Sequence, residues 1–211
     1  MESPEQQLPI LKIEDSDFFV DVNNLQLIDC SNKTNTIHLS DMESVGNHYQ
    51  FLFDKTSKNI PSKITSNYKN NLKQVVISIR NLEFYDPKRA EEIYNNRGFK
   101  LEKNLPIINI EGTEFLWERR TALLHEKDNY WNTISSQDFN QTFKGKIGCL
   151  FNAVEKTVLL PYDLYQIVLK GQTPSHIHFV KENDVAKKIL AAEEKFKSKI
   201  PQQIKPKLKL R

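Results

Sequence analysis

The sequence has 211 residues, with 30 Lys+Arg against 27 Asp+Glu, a formal net charge of +3, 38% apolar residues and 27% charged ones. That length suits one or two domains with a core of ordinary size, and no apolar run approaches the roughly 18 residues a bilayer-spanning helix needs. Met1-Glu-Ser-Pro-Glu5 is acidic and has no hydrophobic stretch, so no secretory signal and a cytoplasmic location are expected; Cys30 and Cys149 cannot form a disulfide framework.

Residues 1–7 read as a tail. Pro9–Ile13 then reads as a strand, Asp15-Ser16 as a turn, and Phe18, Val20 and Val22 alternate on one face of a second strand. Ser40-Asp41 marks a short helical start. Phe51–Ile60 reads as a hairpin with Lys-Thr-Ser-Lys at its tip, and Val75–Arg80 as a strand rich in β-branched residues. Asp86-Pro87, followed by Gly98, brackets a helix with an N-cap, a proline at its first position and a C-terminal stop.

At Leu105 the chain starts again. Leu8-Pro-Ile-Leu-Lys-Ile-Glu-Asp-Ser-Asp-Phe18 returns as Leu105-Pro-Ile-Ile-Asn-Ile-Glu-Gly-Thr-Glu-Phe115, and the spacing of 97 holds through Asp41 and Asp138 with 12 identities. Chance supplies about two, at roughly 6% per position. After a one-residue slip, Leu52-Phe-Asp54 matches Leu150-Phe-Asn152 and Lys58 matches Lys156. Phe115, Trp117 and Arg119 are predicted to share a face of the second strand. Ser175–Val180 reads as a later strand. Asn183 or Asp184 starts a helix that puts Val185, Ile189, Ala192 and Phe196 on one face, and Pro201 ends it. Asp86 and Asp184 are 98 apart, in the register of the repeat.

The expected fold is therefore α+β: two tandem homologous units, residues 8–104 and 105–200, each a small, mostly antiparallel sheet with one main helix. A basic tail, 201–211, follows. From Lys195 onward there are seven basic residues and no acids, which leaves the body slightly acidic. A uniformly basic nucleic-acid binder is thereby disfavoured.

Chemistry-bearing residues are sparse. His176 and His178 are two apart on a predicted strand and share a face, a weak metal-ligand pattern without an evident third ligand. His38 and His125 stand singly, and Cys149 reads as a buried thiol. The acid pairs Asp17/Asp21 and Glu114/Glu118 are spaced by four, about 13 Å on a strand and too far for a glycosidase pair; they are expected on a solvated face. Glu193-Glu-Lys195 has the spacing of a nuclease motif but falls on a helix. Glycine-rich phosphate loops are absent, and no cofactor is expected. The units differ most at Trp117, Arg119, Arg120, Tyr130 and Trp131, residue types enriched in binding hot spots.

The repeated Leu-Pro-Ile-x-x-Ile-Glu-Gly-Thr-Glu-Phe pattern, with Asn-Thr-Ile-Ser after it and the Asp86-Pro87 helix start, resembles an uncharacterised family of duplicated proteins from Bacteroidetes, often linked to mobile elements. The resemblance covers most of residues 8–160 and implies no known activity. Asp15, where the second copy has Gly112, departs from it. The first expectation is a non-enzymatic interaction protein with a protein partner. The alternatives are a nucleic-acid accessory factor using Lys205, Lys207, Lys209 and Arg211 together with Arg119 and Arg120, and an enzyme with its site between the units.

Overall fold

The computed structural model describes residues 8–61, 73–171 and 173–199. The tails 1–7 and 201–211 lie outside them, and so do Lys205, Lys207, Lys209 and Arg211.

The chain is α+β, and every strand pairing among the described residues is antiparallel. Strands β1 (Ile10–Ile13), β2 (Ser16–Asp21), β3 (Gln26–Asp29) and β4 (Thr36–His38) pair in sequence order. A single 3-10 turn, Leu39–Asp41, leads into β5 (Glu43–Val45) and β6 (His48–Asp54), which form a sheet with β7 (Gln74–Arg80). Two helices follow, α1 (Leu82–Tyr85) and α2 (Pro87–Asn96). The second half opens with β8 (Ile107–Ile110), β9 (Thr113–Glu118), β10 (Leu123–Glu126) and β11 (Thr133–Ile134), again one sheet in order. Next come β12 (Gln141–Phe143), β13 (Lys146–Asn152), β14 (Thr157–Val158), α3 (Pro161–Lys170), β15 (Ile177–Lys181) and α4 (Glu182–Lys199). Strand β13 is the hub of the last sheet, pairing with β12, β14 and β15.

The first four strands of each half share one register. Ile10 faces Phe19 and Ile107 faces Leu116; Phe18 faces Asp29 and Phe115 faces Glu126; Leu27 faces Ile37 and Leu124 faces Ile134. Each pair of partners is 97 residues from its counterpart. The backbone repeats at the same spacing in the first two matched turns and at one residue more in the third. Glu14 and Glu111, Leu25 and Ala122, and Lys58 and Lys156 all hold the left-handed conformation, at φ of 52° and 48°, 52° and 55°, and 52° and 59°. Left-handed backbone is costly for residues with a Cβ, so three matched instances reflect turns fixed by the surrounding pairing. In the β8–β9 turn the next residue, Gly112, sits at φ 86°, and two left-handed residues in succession are what a type I′ hairpin turn requires.

Two hydrophobic clusters hold the molecule. One gathers Ile13, Phe18, Val20, Leu27, Ile37, Phe51, Phe53, Ile77, Ile79 and Leu82; the other gathers Ile108, Ile110, Phe115, Leu124, Ile134, Cys149, Phe151, Val158, Val180 and Val185. Phe18 meets Phe53 edge-on at 6.0 Å, and Phe115 meets Phe151 edge-on at 6.1 Å. Each such buried ring contributes about 1.5–3 kcal/mol by leaving water.

A polar clamp ties each four-stranded sheet to the turn after β6 or β13. Asn132 is fully buried: its amide donates to Glu126 Oε2 (2.8 Å) and to the Lys156 carbonyl, and its Oδ1 accepts from Thr157 Oγ1 (3.1 Å). Lys156 Nζ lies 3.2 Å from Glu126 Oε1. Asn35 does the same work in the first half, donating to Asp29 Oδ2 and to the Ser57 and Lys58 carbonyls and accepting from Asn59 Nδ2 at 2.6 Å.

Several sequence expectations change. The carboxylates of Asp21 and Glu118 are buried, not on a solvated face with Asp17 and Glu114. Both sit where their strand ends, and both curl back to accept from the turn that follows: Asp21 from Asn24 and Gln26, Glu118 from Thr121. Arg119 lies beyond the end of β9 and is exposed, so it does not share the face of Phe115. The last helix starts at Glu182, directly after β15. Pairing on the hub strands places Ser78 opposite Gln50 and Lys181 opposite Gly148, so the matched spacing there is 103 rather than 98. On that spacing Val185 is the counterpart of Leu82, both buried, and the Asp86 and Asp184 match is coincidental. Helix α2 is as expected: Asp86 accepts from Arg89 N at 3.2 Å and Pro87 opens it. Helices α1 and α3 were not anticipated.

Candidate functional site

The two halves meet along a polar seam. Asn47 Nδ2 donates to the Thr133 carbonyl and to Asp138 Oδ2, both at 3.0 Å. Asn129 Nδ2 donates to the Phe84 carbonyl at 2.9 Å, and Tyr162 OH donates to Glu14 Oε1 at 2.9 Å. Arg80, at the end of β7, donates through Nη2 to the Val158 carbonyl of β14. Its backbone N–H donates to Tyr85 OH (3.2 Å), and its guanidinium lies 5.5 Å from the Phe84 ring centre.

A cavity of about 490 Å³ opens along this seam. Leu11, Ile77 and Leu160 give it apolar walls, while Arg80, Tyr85, Glu155, Tyr162 and Asp163 bring polar groups to it. Its volume lies within the range of small-molecule sites. Burial governs the titration of these groups. It pushes the Tyr85 hydroxyl up to about 12 and draws the Arg80 guanidinium down. It raises the Asp163 carboxyl as well, against the Leu160 N–H and the Arg80 charge that oppose the rise. Helix α3 positions Tyr162 and Asp163. Pro161 sets its first turn, Asp163 Oδ2 accepts from Leu160 N at 2.8 Å, and Gly171 ends it in the left-handed conformation.

The five aromatic and arginine residues that distinguish the second half do not form one patch. Trp117 is half-buried and donates from Nε1 to Glu193 Oε1 (2.9 Å), seating α4. Arg119 is exposed, 4.0 Å from the other oxygen of Glu193. Trp131 packs on Tyr94 of α2 with ring centres 4.6 Å apart and joins the first hydrophobic cluster, so it belongs to the seam. Tyr130 stacks on His125 at 4.0 Å. Arg120 is exposed and holds Glu118 Oε1 at 3.2 Å.

His125 does not stand singly: it is buried and has partners at both ring nitrogens. Its Nε2 is 3.3 Å from Glu118 Oε2 and its Nδ1 is 2.9 Å from the Tyr130 carbonyl. The hydrogen bonds from Thr121 and Arg120 and the His125 charge hold the Glu118 carboxyl below its ordinary range despite burial. Every member of this cluster is engaged with another. His178 lies 3.7 Å from Glu111, His176 precedes β15, and no group of three or more His, Cys, Asp or Glu among the described residues is arranged to hold a metal. Burial pushes the Cys149 thiol up to about 12, which suits a core residue rather than a nucleophile.

Sequence reasoning missed the apolar surface on α3. Tyr165, Val168 and Leu169 are 49%, 76% and 62% exposed, and Val76 of β7 beside them is 44% exposed. A groove of about 370 Å³ runs between, lined by Val75, Val76, Pro161, Tyr162 and Tyr165. The signal was present: Leu-Pro-x-Asp at 160–163 and Lys-Gly at 170–171 are helix start and stop signs. No helix among the described residues is long and apolar enough to cross a membrane. No family model, curated protein or solved structure matches this chain.

Proposed function

We propose that this chain is a non-enzymatic binding protein, built from two copies of one α+β module, and that its partner is a second protein. The matched registers and matched left-handed turns support the duplication. One observation carries the partner surface: helix α3 turns Tyr165, Val168 and Leu169 to solvent next to Val76. A helix packed on one side and apolar on the other has a second face to cover.

The test places a photo-crosslinking residue at Tyr165 and, as control, at Lys88, then purifies the captured protein and titrates it against the wild-type chain. Saturable binding that the Val168→Asp/Leu169→Asp variant loses while keeping its circular dichroism supports the reading. Equal capture at Lys88, or undiminished binding by the double variant, overturns it. A second reading has its own observation: Arg119 and Arg120 are adjacent and exposed, as contact with nucleic-acid phosphates would need. Salt-sensitive binding of a DNA fragment that Arg119→Ala/Arg120→Ala abolishes supports it, and no binding at low salt ends it.

A further inference from the structure

A second surface, independent of the α3 face, lies in the second half between a strand edge and a helix. Strand β8 is the outer strand of its sheet, in the order β11-β10-β9-β8. Trp117 N donates to the Pro106 carbonyl at 2.8 Å. Alternation along the ladder therefore turns the backbone groups of Pro106 and Ile108 toward β9 and those of Ile107 and Asn109 outward. Helix α4 lies on that outer side, since Lys188 Nζ donates to the Asn109 carbonyl at 2.8 Å. Strand and helix enclose a groove of about 760 Å³, lined by Leu105, Pro106 and Ile107 from one wall and Ala192, Lys195 and Phe196 from the other. Ile107 is 47% exposed there.

The course of α4 brings the chain back to this groove. Lys188 meets Asn109 near the end of β8, while Glu193 meets Trp117, which lies across from Pro106 at its start. The helix thus runs antiparallel to β8 and ends, at Lys199, on the side where β8 begins. Residues 201–211 follow, outside the described ones. In Ile204-Lys-Pro-Lys-Leu-Lys-Leu-Arg211 the apolar and basic residues alternate, so that Ile204, Pro206, Leu208 and Leu210 share one face of an extended chain. Such alternation suits a half-buried strand, and lysines with a proline are what guards the outer edge of a sheet against further pairing. When Lys205 and Lys207 make the backbone pairing, Pro206 points its missing N–H to water, as an edge strand allows. We propose that residues 204–211 add to the edge of β8 as a parallel fifth strand, with Leu208 and Leu210 against Ala192 and Phe196 and the basic side chains in solvent. Extended, these eight residues span about 26 Å, against about 20 Å for the groove wall from 104 to 109. The strand-addition mode draws affinity from backbone hydrogen bonds and specificity from alternate side chains. Tethering to α4 keeps the tail at high effective concentration, so a short pairing suffices.

Amide hydrogen exchange and methyl contacts measured by NMR on the full chain test this, with Leu208→Asp/Leu210→Asp as the variant. The Ile107 amide is expected to exchange about tenfold faster or more in the variant than in the wild type. The Ile108 amide, bonded within the sheet, should be unchanged. In the wild type, contacts between the Leu208 or Leu210 methyls and the Phe196 ring are expected, and Ile107 protection should persist on about tenfold dilution. Ile10→Asp, at the matching position of β1, should leave the exchange of Ile107 as in the wild type. Equal exchange of Ile107 in the wild type and the tail variant overturns the proposal, and so does a wild type without the Phe196 contacts. Protection that falls on dilution puts the tail of a second copy in the groove and overturns docking within one chain. Where Ile108 also exchanges faster in the variant, the wild-type methyl contacts decide.

Discussion

Replacing Asn132 with alanine probes the clamp that holds the second four-stranded sheet to the turn after β13. The side chain makes three hydrogen bonds in a buried setting: to Glu126, to the Lys156 carbonyl and from Thr157 Oγ1. Leaving a buried group unsatisfied costs about 1–3 kcal/mol. Glu126 keeps Lys156 Nζ at 3.2 Å, so it suffers less than a lone carboxylate. Summed over the three groups, the expected loss is about 3 kcal/mol. Asn35→Ala breaks the equivalent bonds in the first half, but Asn35 is only half-buried. Water there replaces part of what is lost, and about 1 kcal/mol is expected. Urea denaturation followed by tryptophan fluorescence measures both, since Trp117 and Trp131 are half-buried in the native chain. A loss below about 1 kcal/mol for Asn132→Ala, or a larger loss for Asn35→Ala, refutes the reasoning.

Gly148→Ala puts a methyl group against the Val180 carbonyl and the Phe179 ring where β13 meets β15; a loss of about 1–3 kcal/mol is expected by thermal denaturation, and a neutral result contradicts that packing. Ala122→Gly and Leu25→Gly relieve left-handed backbone at φ 55° and 52°, and each should be neutral or stabilising by about 1 kcal/mol in the same assay. Stability should also fall as the pH drops from 7 to 5. His48 is held below its ordinary value of 6.5, mainly by burial, so the unfolded chain takes up a proton before the folded one does. His48→Gln should flatten that part of the profile. Below it, Asp21, Asp29 and Glu118 have depressed values, so the stability they give above the ordinary carboxylate range is lost as pH falls through their folded values; protonation of the raised Asp163 works in the opposite direction. Cys149 is buried with its thiol pushed up to about 12, and a thiol reagent should reach it only when the chain unfolds.

The repeat made much of the fold legible. Alternation in Phe18-x-Val20 and the Asp86-Pro87 cap are local signals, and the structure keeps both. Leu-Pro-Ile at 8 and at 105 announced that two stretches would share a hydrogen-bonding pattern. Burial of the acids was not legible, because spacing along an ideal strand says nothing of where the strand ends; Asp21 and Glu118 are the last residues of theirs. The 98-residue match of Asp86 with Asp184 misled for a related reason. The second half carries α3 before its last strand, and strand pairing rather than sequence spacing decides which residues correspond. The seam was invisible for a different reason. Arg80 and Asp163 are far apart in sequence, and only the packing of β7 beside α3 brings them to one cavity. Trp131 has the composition of a binding hot spot, yet it is equally suited to burying an interface within the chain, and that is where it packs.

Cross-strand contacts measured by NMR in solution reach most directly the idea that one module occurs twice. Contacts between Phe18 and Asp29, Leu27 and Ile37, and Phe53 and Val75 should appear in the first half. Their counterparts should appear between Phe115 and Glu126, Leu124 and Ile134, and Phe151 and His178. A set displaced by one residue in either half, or a second half that lacks these contacts, contradicts a common module.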